Sequence, residues 1–177
     1  MNTKRISDRN FFMRPAETVA QDLIGKILCH SVEDGNFVIK GRITATEAYK
    51  NDEDVTDANR STNPTAQLLS GGHLHFHYKT AEGRKRIDIV TNESGIAESV
   101  LIAEIDMYNG PQKVVWAMNI GQDGNENVFD GLDLVDPNSP IWLEEDGISV
   151  EINPPVQRKN VLDTKPLRFT VKAFSFK

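Results

Sequence analysis

Residues 26–49 read KILCHSVEDGNFVIKGRITATEAY. Two runs rich in apolar and β-branched side chains flank Glu33–Asn36, where Asp34-Gly35 supplies the chemistry of a tight reversal. The stretch predicts a β-hairpin, and with it an antiparallel sheet. On its N-terminal side, Pro15, Glu17, Val19, Ala20, Leu23 and Ile24 fall at helical spacing and Gly25 stops them. That predicts a short helix with Pro15 at its first position.

On the C-terminal side, residues 50–72 are polar and turn-rich, and predict a long loop of the kind that carries function. GGHLHFHYK at 71–79 follows, with His73, His75 and His77 alternating with Leu74, Phe76 and Tyr78. RKRIDIVTN at 84–92 pairs with it as a second hairpin. SVLIAEID at 99–106 is more apolar and predicts a central strand. Pro111 opens a second helix, PQKVVWAMNI. Short pieces follow as a meander: GLDLVD, PIWLEED, GISVEINPP and KPLRFTVKAFSF. Strands dominate and no βαβ rhythm appears, so the class is α+β with a mainly antiparallel sheet.

At 177 residues the chain suits one domain, here taken as 1–177. No apolar run approaches the ~20 residues that span a bilayer. The start, MNTKRISDRNFFMRP, lacks the apolar centre of a secretory leader. Cys29 stands alone, so no internal disulfide forms, and a reducing, cytoplasmic location is expected. The net charge of −6 argues against a broadly basic nucleic-acid binder, but it is unevenly spread. Residues 1–90 carry 13 basic and 12 acidic side chains, whereas 91–177 carry 7 and 14. An anionic partner is expected to meet the first half.

Three groups carry candidate chemistry. Alternation places the three histidines on one strand face, which suits a metal site if further ligands converge, or a polar face with no ligand. Glu47 ends an alternating strand where the long loop begins, a common place for a catalytic base, beside the aromatic Tyr49. Arg84, Lys85 and Arg86, with Lys79, Arg42 and Arg60 in the same half, are the basic groups a phosphate backbone requires, or else an ordinary charged edge strand.

Taken in order, PAETVAQDLIGKIL (15–28), GRITATEAY (41–49), GGHLHFHY (71–78), VLIAE (100–104), GPQKVVWAMNI (110–120) and KPLRFTV (165–171) resemble the alkyladenine (3-methyladenine) DNA glycosylase family. The resemblance implies a single α+β domain with a curved, mainly antiparallel sheet and a few short helices. It implies that Glu47 is the catalytic acid residue and that Tyr49 stacks on an extruded base. The strand at 73–79 becomes the hairpin that reaches DNA, with His75 and His77 where tyrosines are usual and His77 as a flat ring beside the base. Asp88 falls on a pocket asparagine, Ala103 on an arginine near the catalytic water, and Thr80 on the bulky wedge, with Tyr78 as its neighbour. The family's loop histidine falls near Ala58 or Asn59, and neither is histidine.

The implied reaction is hydrolysis of the N-glycosidic bond of an alkylated purine by Glu47 and water. It leaves an abasic site and needs no cofactor or metal. The implied partner is double-stranded DNA holding a damaged base, bound by a monomer without membrane contact, near the nucleoid in a bacterium. Arg42, His75, Tyr78, Thr80, Arg84, Lys85 and Arg86 are the expected DNA contacts. Two alternatives differ in class: a damage-binding relative with little catalysis, and a metal-dependent hydrolase using the His73/His75/His77 strand.

Overall fold

A computed structural model of the chain describes residues 2–50, 69–79, 84–121, 128–159 and 165–175. Most of the predicted long loop, with Ala58, Asn59 and Arg60, lies outside the described residues. So do Thr80 and the side chains of Tyr78 and Arg84.

The hairpin of residues 26–49 forms as read. Strand β2 (Ile27–Val32) runs through a 3-10 turn into β3 (Phe37–Tyr49), which has 13 residues. That length decides the architecture. The first half of β3 pairs with β2, and the second half pairs with β6 (Glu98–Ile105) on one side and β10 (Arg168–Ser175) on the other. The second hairpin, β4 (Leu74–Lys79) and β5 (Arg84–Thr91), extends the sheet beyond β6. With β1 (Lys4–Arg5), β8 (Ile141–Glu145), β7 (Tyr108–Asn109) and β9 (Ser149–Ile152), ten strands make one antiparallel sheet. Its main path runs β1-β8-β2-β3-β6-β5-β4, and the sheet curls into a half-barrel. The α+β class with a curved sheet is what the sequence implies.

Helix α1 (Ala16–Leu23) packs against β3 and β6, burying Ala16, Val19, Ala20 and Leu23, a helical stripe. Pro15 precedes the helix as its cap rather than opening it. The Ala16 N–H is satisfied instead by the Glu98 carboxylate at 2.9 Å, a cap delivered from β6. Gly25 ends the segment at φ +86°, and a Cβ there would lie 2.2 Å from a Val150 methyl carbon. Helix α2 (Pro111–Ala117) covers β5 and β6, shorter than the predicted run because Asn119 turns out at φ +54°. No helix among the described residues is long and apolar enough to cross a membrane.

Two local expectations differ. GLDLVD forms no strand: the Asp133 carboxylate accepts the Val135 N–H and pairs with Arg9, folding the segment into turns. The C-terminal pieces are strands but not a meander. β8 inserts between β1 and β2 at one end of the sheet, while β9 pairs with β10.

The helix-side face of the sheet is the core. Ala48, Leu74, Phe76, Ile87, Ile89, Val100 and Ile102 pack there, and Thr46 Oγ1 donates to the Ala20 carbonyl at 2.8 Å. By strand alternation the residues between them face the other way.

Candidate active site

On that other face, strand register builds a row. Arg168 on β10 lies opposite Glu47 on β3, Glu47 opposite Leu101 on β6, Leu101 opposite Asp88 on β5, and Asp88 opposite His75 on β4. Directly opposed residues of antiparallel strands point to one side, so five strands present these side chains together. Glu47 and Asp88 stand two strand spacings apart, roughly 10 Å, with Leu101 as the floor between them. Tyr49 joins the row two residues from Glu47, and His77 two residues from His75.

Glu47 is 2% exposed, although it lies near the end of its strand. Its Oε1 accepts from Arg168 Nη1 at 2.7 Å and from the Lys159 backbone N–H at 3.1 Å. Its Oε2 accepts from the Tyr49 hydroxyl at 2.8 Å. Buried carboxylates are stable only with such partners. Arg168 also donates through Nη2 to Glu104 Oε1 at 2.6 Å. Lys159 Nζ lies 3.4 Å from the same oxygen.

Glu104 reaches this face because of a bulge. Ile102 pairs with Thr46 but Glu104 pairs with Ala45, so Ala103 is an extra residue between them. A bulge shifts the side-chain phase by one, which turns Glu104 away from the side of Ile102 and toward Arg168. Ala103, which the resemblance sets on a pocket arginine, is therefore the bulged residue, 1% exposed. The guanidinium beside Glu47 comes from β10.

The histidine strand divides. His73 precedes β4, and its Nδ1 lies 2.8 Å from the Ser70 carbonyl within its own turn. His75 Nδ1 donates to Asp130 Oδ1 at 2.8 Å, and the same oxygen accepts the Phe76 N–H at 2.9 Å. His77 Nε2 lies 3.2 Å from Asp88 Oδ2, which also accepts from Ser99 Oγ at 3.4 Å. The two imidazoles meet edge to face with centroids 3.9 Å apart. Burial lowers the His77 pKa below the ordinary imidazole value, and Arg86 and His75 push the same way against the pull of Asp88. Burial opposes ionisation of Asp130, but the hydrogen bonds from His75 and Phe76 outweigh it and hold that carboxyl low. Among the described residues, no group of three or more His, Cys, Asp or Glu side chains is placed to hold a metal.

The basic residues do not form one patch. Alternation sends Arg86 to the His77 side and Lys85 to the helix side, where its Nζ donates to the Gly121 carbonyl. Arg42 sits five residues before Glu47, roughly 16 Å along β3. It is engaged by Asp146 and the Gly25 carbonyl, with its guanidinium over the Phe174 ring. The structure thus brings Glu47, Tyr49, His75, His77, Arg86 and Asp88 to one face, and leaves Arg42 and Lys85 elsewhere.

Four residues of this site go unnamed in the sequence reading: Arg168, Glu104, Arg158 and Lys159. For the first, a signal exists. Arg168 interrupts an apolar strand between Leu167 and Phe169, and a cation there requires a buried partner. Glu104 depends on a bulge, and Arg158 and Lys159 depend on a loop crossing, neither of which has a periodic signature. Arg158 Nη1 donates to the Ala48 carbonyl at 3.0 Å, and its guanidinium lies over the Tyr49 ring, 4.4 Å from the centroid.

Residues 10–107 match a family model described as Methylpurine-DNA glycosylase. A Prosthecochloris aestuarii (strain DSM 271 / SK 413) protein named "Putative 3-methyladenine DNA glycosylase" is 32% identical over 159 residues, covering 77% of this chain and 72% of that protein. A protein of the same name from Borreliella afzelii (strain PKo) is 27% identical over 163 residues, covering 82% and 81%. One from Methanoculleus marisnigri (strain ATCC 35101 / DSM 1498 / JR1) is 28% identical over 189 residues, covering 92% and 93%. The family match spans more than half of the chain, including the strand that carries Glu47 and the hairpin that carries His75 and His77, and on these grounds the chain belongs to the methylpurine-DNA glycosylase family.

Proposed function

We propose that the chain, acting as one domain and as a monomer, is a monofunctional DNA glycosylase for alkylated purines in duplex DNA. The observation that carries this is the setting of Glu47: a buried carboxylate beside a tyrosine, on a sheet face with two further aromatic rings. The names of the relatives support the choice of substrate.

In this reading the damaged nucleotide leaves the helix at a cost of a few kcal/mol and enters the face between Glu47 and the Asp88–His77 pair. Departure of the base leaves an oxocarbenium-like sugar, which a carboxylate stabilises while taking a proton from water. Of the two Glu47 oxygens, Oε2 receives only the Tyr49 hydroxyl among the described contacts, so it retains lone-pair capacity for that water. Arg168 fixes the carboxylate through Oε1. Alkylated purines carry positive charge and depart without an added proton, which suits a site whose His77 is held toward its neutral form. Of the expected DNA contacts Arg86 stands on this face, whereas His75 is 3% exposed and tied to Asp130, and the protein works in the cytoplasm, at the nucleoid in a bacterium. Nothing in this chemistry calls for a cofactor.

The test is excision from duplexes holding 3-methyladenine or hypoxanthine, read as alkali-labile abasic sites. Faster release of hypoxanthine overturns the preference for alkylated bases, and no release of either overturns the enzyme reading.

A second reading has one observation in its favour. Both Glu47 oxygens already have donors and the side chain is almost wholly buried, as suits a damage-binding relative with weak catalysis. Single-turnover assays with protein in excess separate the two, since a binder retains the lesion duplex without opening it.

A further inference from the structure

The space over Tyr49 already has an occupant. Arg158 is 3% exposed, with its guanidinium carbon 4.4 Å from the Tyr49 ring centroid and its Nη1 3.0 Å from the Ala48 carbonyl. The segment that carries it is pinned on both sides of the side chain. Val156 exchanges backbone hydrogen bonds with Arg168 at 3.0 Å each, and the Lys159 N–H rests on Glu47. Arg158 can therefore swing at its side-chain torsions while the backbone stays on the carboxylate.

A guanidinium is a flat, delocalised cation that stacks on an aromatic face and donates N–H bonds from its edge. An N-alkylated purine base has the same features: a flat ring, spread positive charge and edge N–H groups. We propose that Arg158 holds the planar-cation position over Tyr49 in the free protein, and that an extruded alkylpurine takes the position by displacing it. This rests on the glycosylase reading of Glu47 and Tyr49. The Ala48 carbonyl adds selectivity, because a base without a donor edge leaves that acceptor unsatisfied where the guanidinium had served it. Self-occupancy lowers apparent affinity by the fraction of time the position is open, so a position open one-tenth of the time weakens binding about tenfold.

The experiment compares wild type, R158Q and R158K for binding of 7-methylguanosine and of guanosine by calorimetry, with thermal melting to check each fold. R158Q is expected to bind the methylated cation about tenfold more tightly than wild type and to gain much less for guanosine, with R158K between them. Unchanged or weaker binding of 7-methylguanosine by R158Q overturns the proposal, as does an equal gain for both nucleosides. If R158Q does not melt cooperatively, R158K decides by the same comparison. Nucleoside binding breaks no bond, so its failure alongside normal excision removes this inference alone. Absence of excision in wild type bears on the enzyme reading instead.

Discussion

Arg168 lies directly across the strand pair from Glu47, and its Nη1 donates to the carboxylate at 2.7 Å while its Nη2 reaches Glu104. One guanidinium thus serves two acids, one from the strand on its flank and one from the strand beyond, and is itself almost closed to water.

Substituting Glu47→Gln keeps the shape and removes the proton acceptor. Excision of 3-methyladenine from duplex DNA is expected to fall by ~10²–10⁴-fold, while binding of an uncleaved lesion duplex changes little. Turnover near the wild-type rate in a single-turnover assay takes Glu47 out of the chemistry.

Arg168→Met leaves Glu47 and Glu104 without their shared cation in a buried setting. Removal of one partner from such a pair costs about 3–5 kcal/mol, so a large fall in the urea midpoint is expected. Arg168→Lys restores charge but not the two-pronged geometry, and should recover part of the loss. An unchanged midpoint in the methionine variant contradicts the clamp.

His77 and His30 are both held below the ordinary imidazole value of 6.5, chiefly by burial. Their neutral forms favour the folded state, so that contribution is complete above pH 6.5 and is lost as pH falls toward the depressed folded values. Urea midpoints are expected to drop between pH 7 and pH 5.5, and His77→Asn should flatten the slope. A midpoint independent of pH in that window excludes the assignment.

Cys29 is fully buried, and burial with Glu144 nearby pushes its thiol up to about 12. At pH 8 only about one part in ten thousand is thiolate, the reactive form. Ellman's reagent should leave the native thiol intact for hours and titrate one equivalent after unfolding. Rapid native labelling shows instead that β2 opens.

Much of this was legible in the sequence, and its limits have physical causes. The hairpin at 26–49 announces itself because alternation and a turn dipeptide agree, and α1 because its apolar spacing matches a helix. Glu47, Tyr49 and His77 stand out as a strand end and an alternating strand, and the fold sets them on one face, with Tyr49 and His77 to opposite sides of the Glu47 row. Charge alone groups Arg42 and Lys85 with the site, yet pairing with Asp146 and strand parity send them elsewhere. Glu98 as the cap of α1 joins residues 82 positions apart, a relation no local pattern encodes.

The extra residue at Ala103 has an evolutionary corollary. Deleting a single codon there would leave Ile102 and the acid at 104 as consecutive residues opposite Thr46 and Ala45, and plain alternation would keep that acid facing the guanidinium. Relatives in which this strand is one residue shorter should therefore keep the acid and the arginine, whereas relatives of full length that pair without the extra residue should differ at positions 104 and 168 together.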